Sequence, residues 1–279
     1  MIGNMQLELN KAKANNYAIP AVNAISPLMI KKYVAVADSV QAPIIVSLAE
    51  AHLGYMGLAE AVHAWEYYAT QTNVPVMLHL DHGQTMEVVK RAIDLGFPSI
   101  MIDGSSHDFA TNVEMTRTIV DYAKGKNVAV EGEIGHVGAG SNYETDLRTT
   151  SIYTTVKEAV EFLQQTKVDS LAISIGTVHG HYQGTPNLNF ERLLEIKNSV
   201  DVPLVLHGGS SSGDDNLEKA IELGISKINI FTDIVTSINR QLDGTFDYFE
   251  VLKQIDAGIT ACLTHYFNLF GTTKWGKVK

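Results

Sequence analysis

Residues 75–102, PVMLHLDHGQTMEVVKRAIDLGFPSIMI, contain a complete strand–helix–strand unit. Val76–His79 is a short apolar run. Thr85 offers a capping hydroxyl, an amphipathic helix is expected through Leu95, and Gly96 ends it. Ile100–Ile102 then opens the next apolar run. Continuous Val, Ile and Leu, without strict alternation, suits parallel strands covered on both faces. The pattern extends in both directions, with strands expected at Tyr17–Val22, Ile44–Ser47, Val76–His79, Ile100–Ile102, Val128–Glu133, Leu171–Ile175, Leu204–His207 and Lys227–Ile230. Ser26-Pro27 reads as an N-cap and first-turn proline before a helix over Leu28–Ser39, and Asp214–Leu223 begins with acids and stops at Gly224. Eight βα units in this length imply an α/β chain folded as a (β/α)8 TIM barrel, with a helical C-terminal extension from about Asp233. A doubly wound sheet is the competing architecture, but no glycine fingerprint follows the first strand. No linker or low-complexity block interrupts the chain, so residues 1–279 are expected to form one domain.

An internal echo fits the strand count. Pro75-Val-Met-Leu-His79 matches Pro203-Leu-Val-Leu-His207, and Arg91-Ala-Ile-Asp-Leu-Gly96 matches Lys219-Ala-Ile-Glu-Leu-Gly224, both at an offset of 128 residues. This reads either as half-barrel duplication or as the shared needs of a glycine-terminated helix feeding a strand.

Composition narrows the function. The 279 residues carry 31 acidic and 21 basic side chains, a formal charge of −10 that disfavours nonspecific nucleic-acid or anionic-membrane binding. The one cysteine, Cys262, excludes a disulfide framework and any cysteine-rich metal site, and its apolar surroundings suit a packing residue. No uncharged run is long enough to span a bilayer, and Met1-Ile-Gly-Asn-Met5 lacks a secretory pattern, so a soluble cytoplasmic protein is expected.

Active sites of such barrels lie at the C-terminal ends of the strands. Three of those ends present histidines to one rim: His82, His179 and His207. Neutral imidazoles with a fourth position open form a frequent catalytic zinc site. His79 precedes its strand end and reads as a supporting or core residue, and His181 as a solvent-facing one. After strands seven and eight, Gly208-Gly209-Ser210 and Asn229–Thr232 lie where barrels bind phosphate through backbone N–H groups and hydroxyls. Residues 135–151 make a long polar, glycine-rich loop after strand five, a length typical of substrate-contacting lids.

The motifs HLDHG at 79–83, MIDGS at 101–105, EGEIG at 131–135, GTVHG at 176–180, HGGS at 207–210 and KINI-x-TD at 227–233 together resemble the class II, metal-dependent fructose/tagatose-bisphosphate aldolases. The resemblance runs from Tyr17-Ala-Ile-Pro-Ala-Val-Asn23 to Leu269-Phe-Gly271. It implies one Zn2+ per subunit on His82, His179 and His207, with Asp81 as the catalytic acid. It also implies a site for the phosphate of dihydroxyacetone phosphate on Gly180, Gly208, Gly209, Ser210, Asn229, Ile230, Phe231 and Thr232, with a monovalent cation (Na+ or K+) nearby. Glu133 matches a carboxylate that swings towards zinc in some members, and Asp103 a supporting acid; barrel polar packing is the competing reading of these two and of Glu131. The second base corresponds to a glutamate on the loop after strand five, where Glu144 is the nearest match. Aldol cleavage on a metal needs no Schiff-base lysine, and the strand ends above hold none except Lys227, at the start of strand eight. The resemblance implies a homodimer or homotetramer acting on a small sugar phosphate.

Departures fall on one half of the site. The family's double glycine and acids in the strand-five loop are replaced by Gly138-Ala-Gly-Ser-Asn-Tyr-Glu144. Its serine before a glutamate after strand two is Ala49, followed by Glu50, and its Phe-Asn pair on strand one is Val22-Asn23. An Asp-Pro-Arg segment, whose arginine reaches a neighbouring subunit's second phosphate, is absent from residues 242–249. The expected activity is reversible cleavage of a ketose phosphate to dihydroxyacetone phosphate and an aldehyde. A zinc hydrolase barrel and an inactive sugar-phosphate-binding barrel are the alternatives. Tyr17–Asn23 lacks the His-x-His pair usual in the first, and an intact Asp81 with three histidines counts against the second.

Overall fold

The computed structural model describes residues 1–135, 153–178, 180, 184 and 186–277. Its strands are β1 (Ile19–Asn23), β2 (Ile44–Ala49), β3 (Val76–Gly83), β4 (Ser99–Ile102), β5 (Ala129–Ile134), β6 (Ser170–Ile173), β7 (Leu204–Leu206) and β8 (Ile225–Ile230). All pair in parallel with their sequence neighbours, and β8 returns to β1, closing the barrel. The helices are α1 (Met5–Asn15), α2 (Pro27–Ser39), α3 (Leu58–Ala69), α4 (Met86–Leu95), α5 (Phe109–Ala123), α6 (Val156–Thr166), α7 (Phe190–Lys197), α8 (Asp214–Glu222), α9 (Thr232–Gln241) and α10 (Tyr248–Leu269). The expected punctuation is present. Ser26 and Thr85 accept hydrogen bonds at the starts of α2 and α4, and Gly96 ends α4 in a left-handed conformation at φ 99°.

Two features differ from the sequence reading. The first is α1, which the sequence reading leaves unassigned because its buried apolar positions, Met5, Leu9 and Ala12, are few. These three pack on Tyr17, Ile19, Ala21, Ile45 and Met77, forming a separate apolar cluster against the lower, inward-facing ends of β1 to β3. The second is β3, which continues past His79 to Gly83, so Asp81 and His82 belong to the strand itself.

Strand alternation then sorts the barrel interior. In β3 the alternating series is Met77, His79 and Asp81; in β5 it is Ala129, Glu131 and Glu133; in β8 it is Lys227 and Asn229. The intervening residues Leu78, Leu80, Val130, Ile228 and Ile230 pack outward in the main core between barrel and helices. The interior is therefore apolar where α1 covers it and polar towards the strands' C-terminal ends.

Candidate active site

Asp81 and His82 are consecutive strand residues, which ordinarily point to opposite faces. The pairing of β3 with β4 breaks between Leu80 and Gly83, and His82 takes a left-handed backbone at φ 45°. That conformation disfavours a side chain and costs about 1–3 kcal/mol. It brings His82 Nε2 to 4.0 Å from Asp81 Oδ1, on the same rim. Gly83 makes the turn possible, because a Cβ there would sit 2.6 Å from the Met101 carbonyl oxygen. The bend is pinned from β4: Asp103 N–H donates to the Gly83 carbonyl at 2.8 Å, and Asp103 Oδ2 lies 2.7 Å from His82 Nδ1.

Asp81 is 3% exposed and fixed on both oxygens. Asn23 donates to Oδ2 and Asn229 to Oδ1, each at 2.9 Å. Burial alone raises a carboxyl's pKa, but His82, His207 and Lys227 outweigh it and hold Asp81 well below the usual carboxylate range.

His207, fully buried at the end of β7, faces His82. Its Nδ1 is 2.8 Å from His82 Nε2, with the rings 4.5 Å apart at 82°. Its Nε2 is 2.9 Å from Glu131 Oε1, and Lys227 Nζ donates to both Glu131 oxygens at 2.8 and 2.9 Å. Lys227 also approaches His79 Nε2 at 3.4 Å, while His79 Nδ1 is 2.8 Å from Ser99 Oγ. Burial, with Lys227 beside it, lowers the His79 pKa to about 3, so this imidazole is neutral.

The donor set fits a cation. Asp103 takes the Nδ1 proton of His82 and Glu131 the Nε2 proton of His207, so the hydrogen-bond network assigns both ring protons to the outer nitrogens. The inner nitrogens approach each other at 2.8 Å, a separation bridged by a proton, and a cation beside them would compete for the same lone pairs. Asp81, His82 and His207 offer ligand atoms within 4.8 Å of one another, and so do His82, Asp103 and Glu133. The same field acts on a proton: burial disfavours the charged form of His82, but Asp81, Asp103 and Glu133 outweigh it and raise its pKa to about 10. Glu133 Oε2 lies 4.0 Å from His82 Nδ1 and 3.9 Å from His207 Nδ1.

A cavity of about 180 Å3 opens above this cluster. It is lined by Asp81 and His82, by Gly180, Gly208, Ser210 and residues 229–232, and by Asn23, Ala49 and His52, whose ring rests on Phe231. Gly208 sits at φ 67°, and a Cβ there would meet the Val178 carbonyl oxygen at 2.3 Å. Ser210 Oγ accepts from the N–H groups of Phe231 and Asp233 at 3.1 and 3.2 Å. The Phe231 N–H, one of the expected phosphate donors, is therefore already engaged, and Ser210 orders this loop. Asp233 ties the same loop to Ser211, accepting from its N–H and hydroxyl at 2.8 and 2.7 Å.

His179, Glu144 and His181 lie outside the described residues. Of the other expected residues, Asp81, His82, Gly180, Gly208, Ser210 and residues 229–232 line one cavity and His207 meets His82 beside it, whereas Gly209 is not among the lining residues. Sequence reasoning missed Lys227 and Asn23 as parts of the polar network. A lysine alternating with isoleucines in Ile225–Ile230 can only enter a barrel interior when the isoleucines face the helices, and that signal was present.

Residues 3–274 match the family model described as fructose-bisphosphate aldolase class-II. The chain belongs to the class II fructose-bisphosphate aldolase family. Among solved structures, the YdjI aldolase from Escherichia coli is 30% identical with a TM-score of 0.87, each chain covered in full. A putative fructose-1,6-bisphosphate aldolase from Coccidioides immitis is 27% identical with a TM-score of 0.88, covering 99% of this chain and 98% of the other. The fructose-bisphosphate aldolase of Campylobacter jejuni, at 22% identity and a TM-score of 0.80 over 98% of this chain and 95% of its own, shares the fold. The protein is thus an aldolase, a carbon–carbon lyase, whose family and fold support cleavage of ketose phosphates.

Proposed function

We propose that this aldolase is zinc-dependent and reversibly cleaves a ketose 1-phosphate to dihydroxyacetone phosphate and an aldehyde. The observation that carries this reading is the pair of imidazoles whose inner nitrogens meet at 2.8 Å beside Asp81, each outer nitrogen tied to a carboxylate. His82, His179 and His207 would hold the metal. Zinc, when bound, supplies a Lewis acid for negative charge developing on the donor's oxygens.

The chain's own residues do the rest. Asp81, kept ionised between two amides, takes the proton of the C4 hydroxyl in cleavage and returns it to the aldehyde oxygen in condensation. Glu144 is the proposed base at the three-carbon donor. Gly180, Gly208, the Ser210 hydroxyl, Asn229, Ile230 and Thr232 are the proposed donor-phosphate residues lining the cavity, with Gly209 between two of them, Phe231 contributing its ring more than its occupied N–H, and a monovalent cation expected there. No helix among the described residues is long and apolar enough to cross a membrane. Phe246 on the α9–α10 connection and Tyr248 and Phe249 at the start of α10, all exposed, support a homodimer or homotetramer.

The test is metal removal. Chelation should abolish release of dihydroxyacetone phosphate in a coupled assay, and zinc should restore it with one metal per subunit. Full activity in a metal-free preparation ends the zinc reading.

A further inference from the structure

The cavity wall contributed by β2 holds one polar side chain that the proposed chemistry leaves without a task. His52 closes the short 3-10 turn Glu50–His52 that follows β2. That turn is anchored from behind, since Glu50 accepts from the N–H groups of Gln84 and Thr85 at 2.7 and 3.1 Å and from the Thr85 hydroxyl at 2.9 Å. The His52 ring rests on Phe231 at 5.1 Å and meets the edge of Tyr55 at 6.4 Å. It is half-buried and lines the cavity together with Asn23, Ala49 and Asp81, next to Phe231. Its Nδ1 is buried and has no hydrogen-bond partner.

Packing therefore fixes where this imidazole stands while the protein leaves its hydrogen-bonding capacity unspent. An unsatisfied buried nitrogen carries a desolvation cost that a hydrogen-bonding ligand would relieve. Burial lowers the ring's pKa against the raising influence of Asp81, so it stands neutral, with one donor and one acceptor. That pair complements a hydroxyl, which both donates and accepts, whereas a phosphate dianion could use only the donor and would find no positive charge on the ring. Among the described residues lining the cavity there is no lysine or arginine to serve such a dianion either. With the donor phosphate on the Gly208–Ser210 wall and the reacting C4 hydroxyl at Asp81, the wall formed by Asn23, Ala49 and His52 is left for the rest of the aldehyde.

We propose that His52 is a specificity-determining residue that hydrogen-bonds a hydroxyl carried by the aldehyde fragment, so that the enzyme selects hydroxylated, uncharged aldehydes. This rests on the aldolase reading above. In the condensation direction, with saturating dihydroxyacetone phosphate and the zinc-loaded enzyme, kcat/KM is measured for glyceraldehyde, erythrose and threose beside propanal and butanal. The wild type should prefer its best hydroxyaldehyde by about tenfold or more. His52→Phe should reduce that ratio to within about threefold, chiefly through KM for the hydroxyaldehyde, and His52→Gln should recover part of it. The ratio is insensitive to the fraction of folded enzyme, since both aldehydes report on the same active molecules. An undiminished preference in His52→Phe, or no preference in the wild type, overturns the role of His52. Solvent exchange of the donor's C3 proton separates the two readings. Exchange with no aldehyde preference removes His52 alone, whereas neither exchange nor condensation removes the aldolase reading and this proposal with it.

Discussion

Asp81 and Lys227 show how differently two buried charges are used in one barrel. Asp81 has amide donors on both oxygens and opens onto the cavity, so its charge is available to substrate. Asp81→Ala should leave zinc content near one per subunit while lowering kcat by roughly a hundredfold or more, the scale of a lost general acid–base group. Loss of zinc with an unchanged rate per bound metal would instead make Asp81 structural. Lys227, at 0% exposure, spends its charge on Glu131, which in turn orients His207. Lys227→Met strands a buried carboxylate and should cost about 3–5 kcal/mol in denaturant-induced unfolding. Adding Glu131→Gln should return much of that stability while leaving zinc affinity reduced, because His207 loses its carboxylate partner. His79 adds a pH dependence. Its pKa is about 3 in the fold against 6.5 for the free group, so the unfolded chain gains a proton first as pH falls. Stability is full above about pH 6.5 and declines towards pH 3, by at most about 1.4 kcal/mol per unit from this group. A His79→Asn variant should show a shallower decline in its unfolding midpoint over that window.

At the scale of elements, the β strands and their order were legible in sequence because parallel strands buried on both faces read as short, largely apolar runs, as at Ile44–Val46 in β2 and Ile100–Ile102 in β4. Two things escaped for physical reasons. The helix α1 shows a weak apolar pattern, since it caps the barrel with three apolar side chains and its fourth buried residue is Glu8, which accepts from the Trp275 indole. The bend at His82 depends on a break in strand register, which residue types do not announce. The rim residues were legible because functional barrel positions cluster at strand ends, whereas Lys227 and Glu131 lie one layer deeper, where polar residues are easily dismissed as packing. These elements also separate stability from function. Leu9→Ala, in the cluster beneath the barrel, should lower stability by about 2–5 kcal/mol while kcat per folded molecule stays unchanged. A fall in kcat at full occupancy of the folded state would show that α1 reaches the site. Gly83→Ala should behave oppositely: the new Cβ meets backbone at Met101, so the bend relaxes and zinc content, read by metal analysis, should drop.

At the scale of the whole molecule, charge bears on which substrate the enzyme accepts. A ketose bisphosphate brings two phosphate groups to a protein with a formal charge of −10. The wall of Gly208–Ser210 and residues 229–232 can meet one of them with local dipoles despite that net charge. A second phosphate finds no comparable partner. The buried Lys227 is bound to Glu131, no lysine or arginine appears among the described residues lining the cavity, and no arginine follows Arg240 in the chain. The segment that would supply one is Leu242-Asp-Gly-Thr-Phe-Asp-Tyr-Phe249, where Phe246 is fully exposed and Asp247 caps α10 through the N–H groups of Phe249 and Glu250. Arginine's planar fork binds phosphate through paired, charge-assisted bonds, and losing that contact is worth about 1.5–3 kcal/mol, or roughly ten- to a hundredfold in discrimination. Ketose 1-phosphates without a distal phosphate should therefore be cleaved with kcat/KM equal to or above that for fructose and tagatose 1,6-bisphosphates. The comparison is made on the same zinc-loaded preparation at fixed ionic strength, because screening alone would blunt repulsion of the second phosphate. A bisphosphate preference of tenfold or more would mean that a cation outside the described cavity lining, Lys253 included, reaches the distal phosphate, and the aldehyde assignment would then revert to a phosphorylated one.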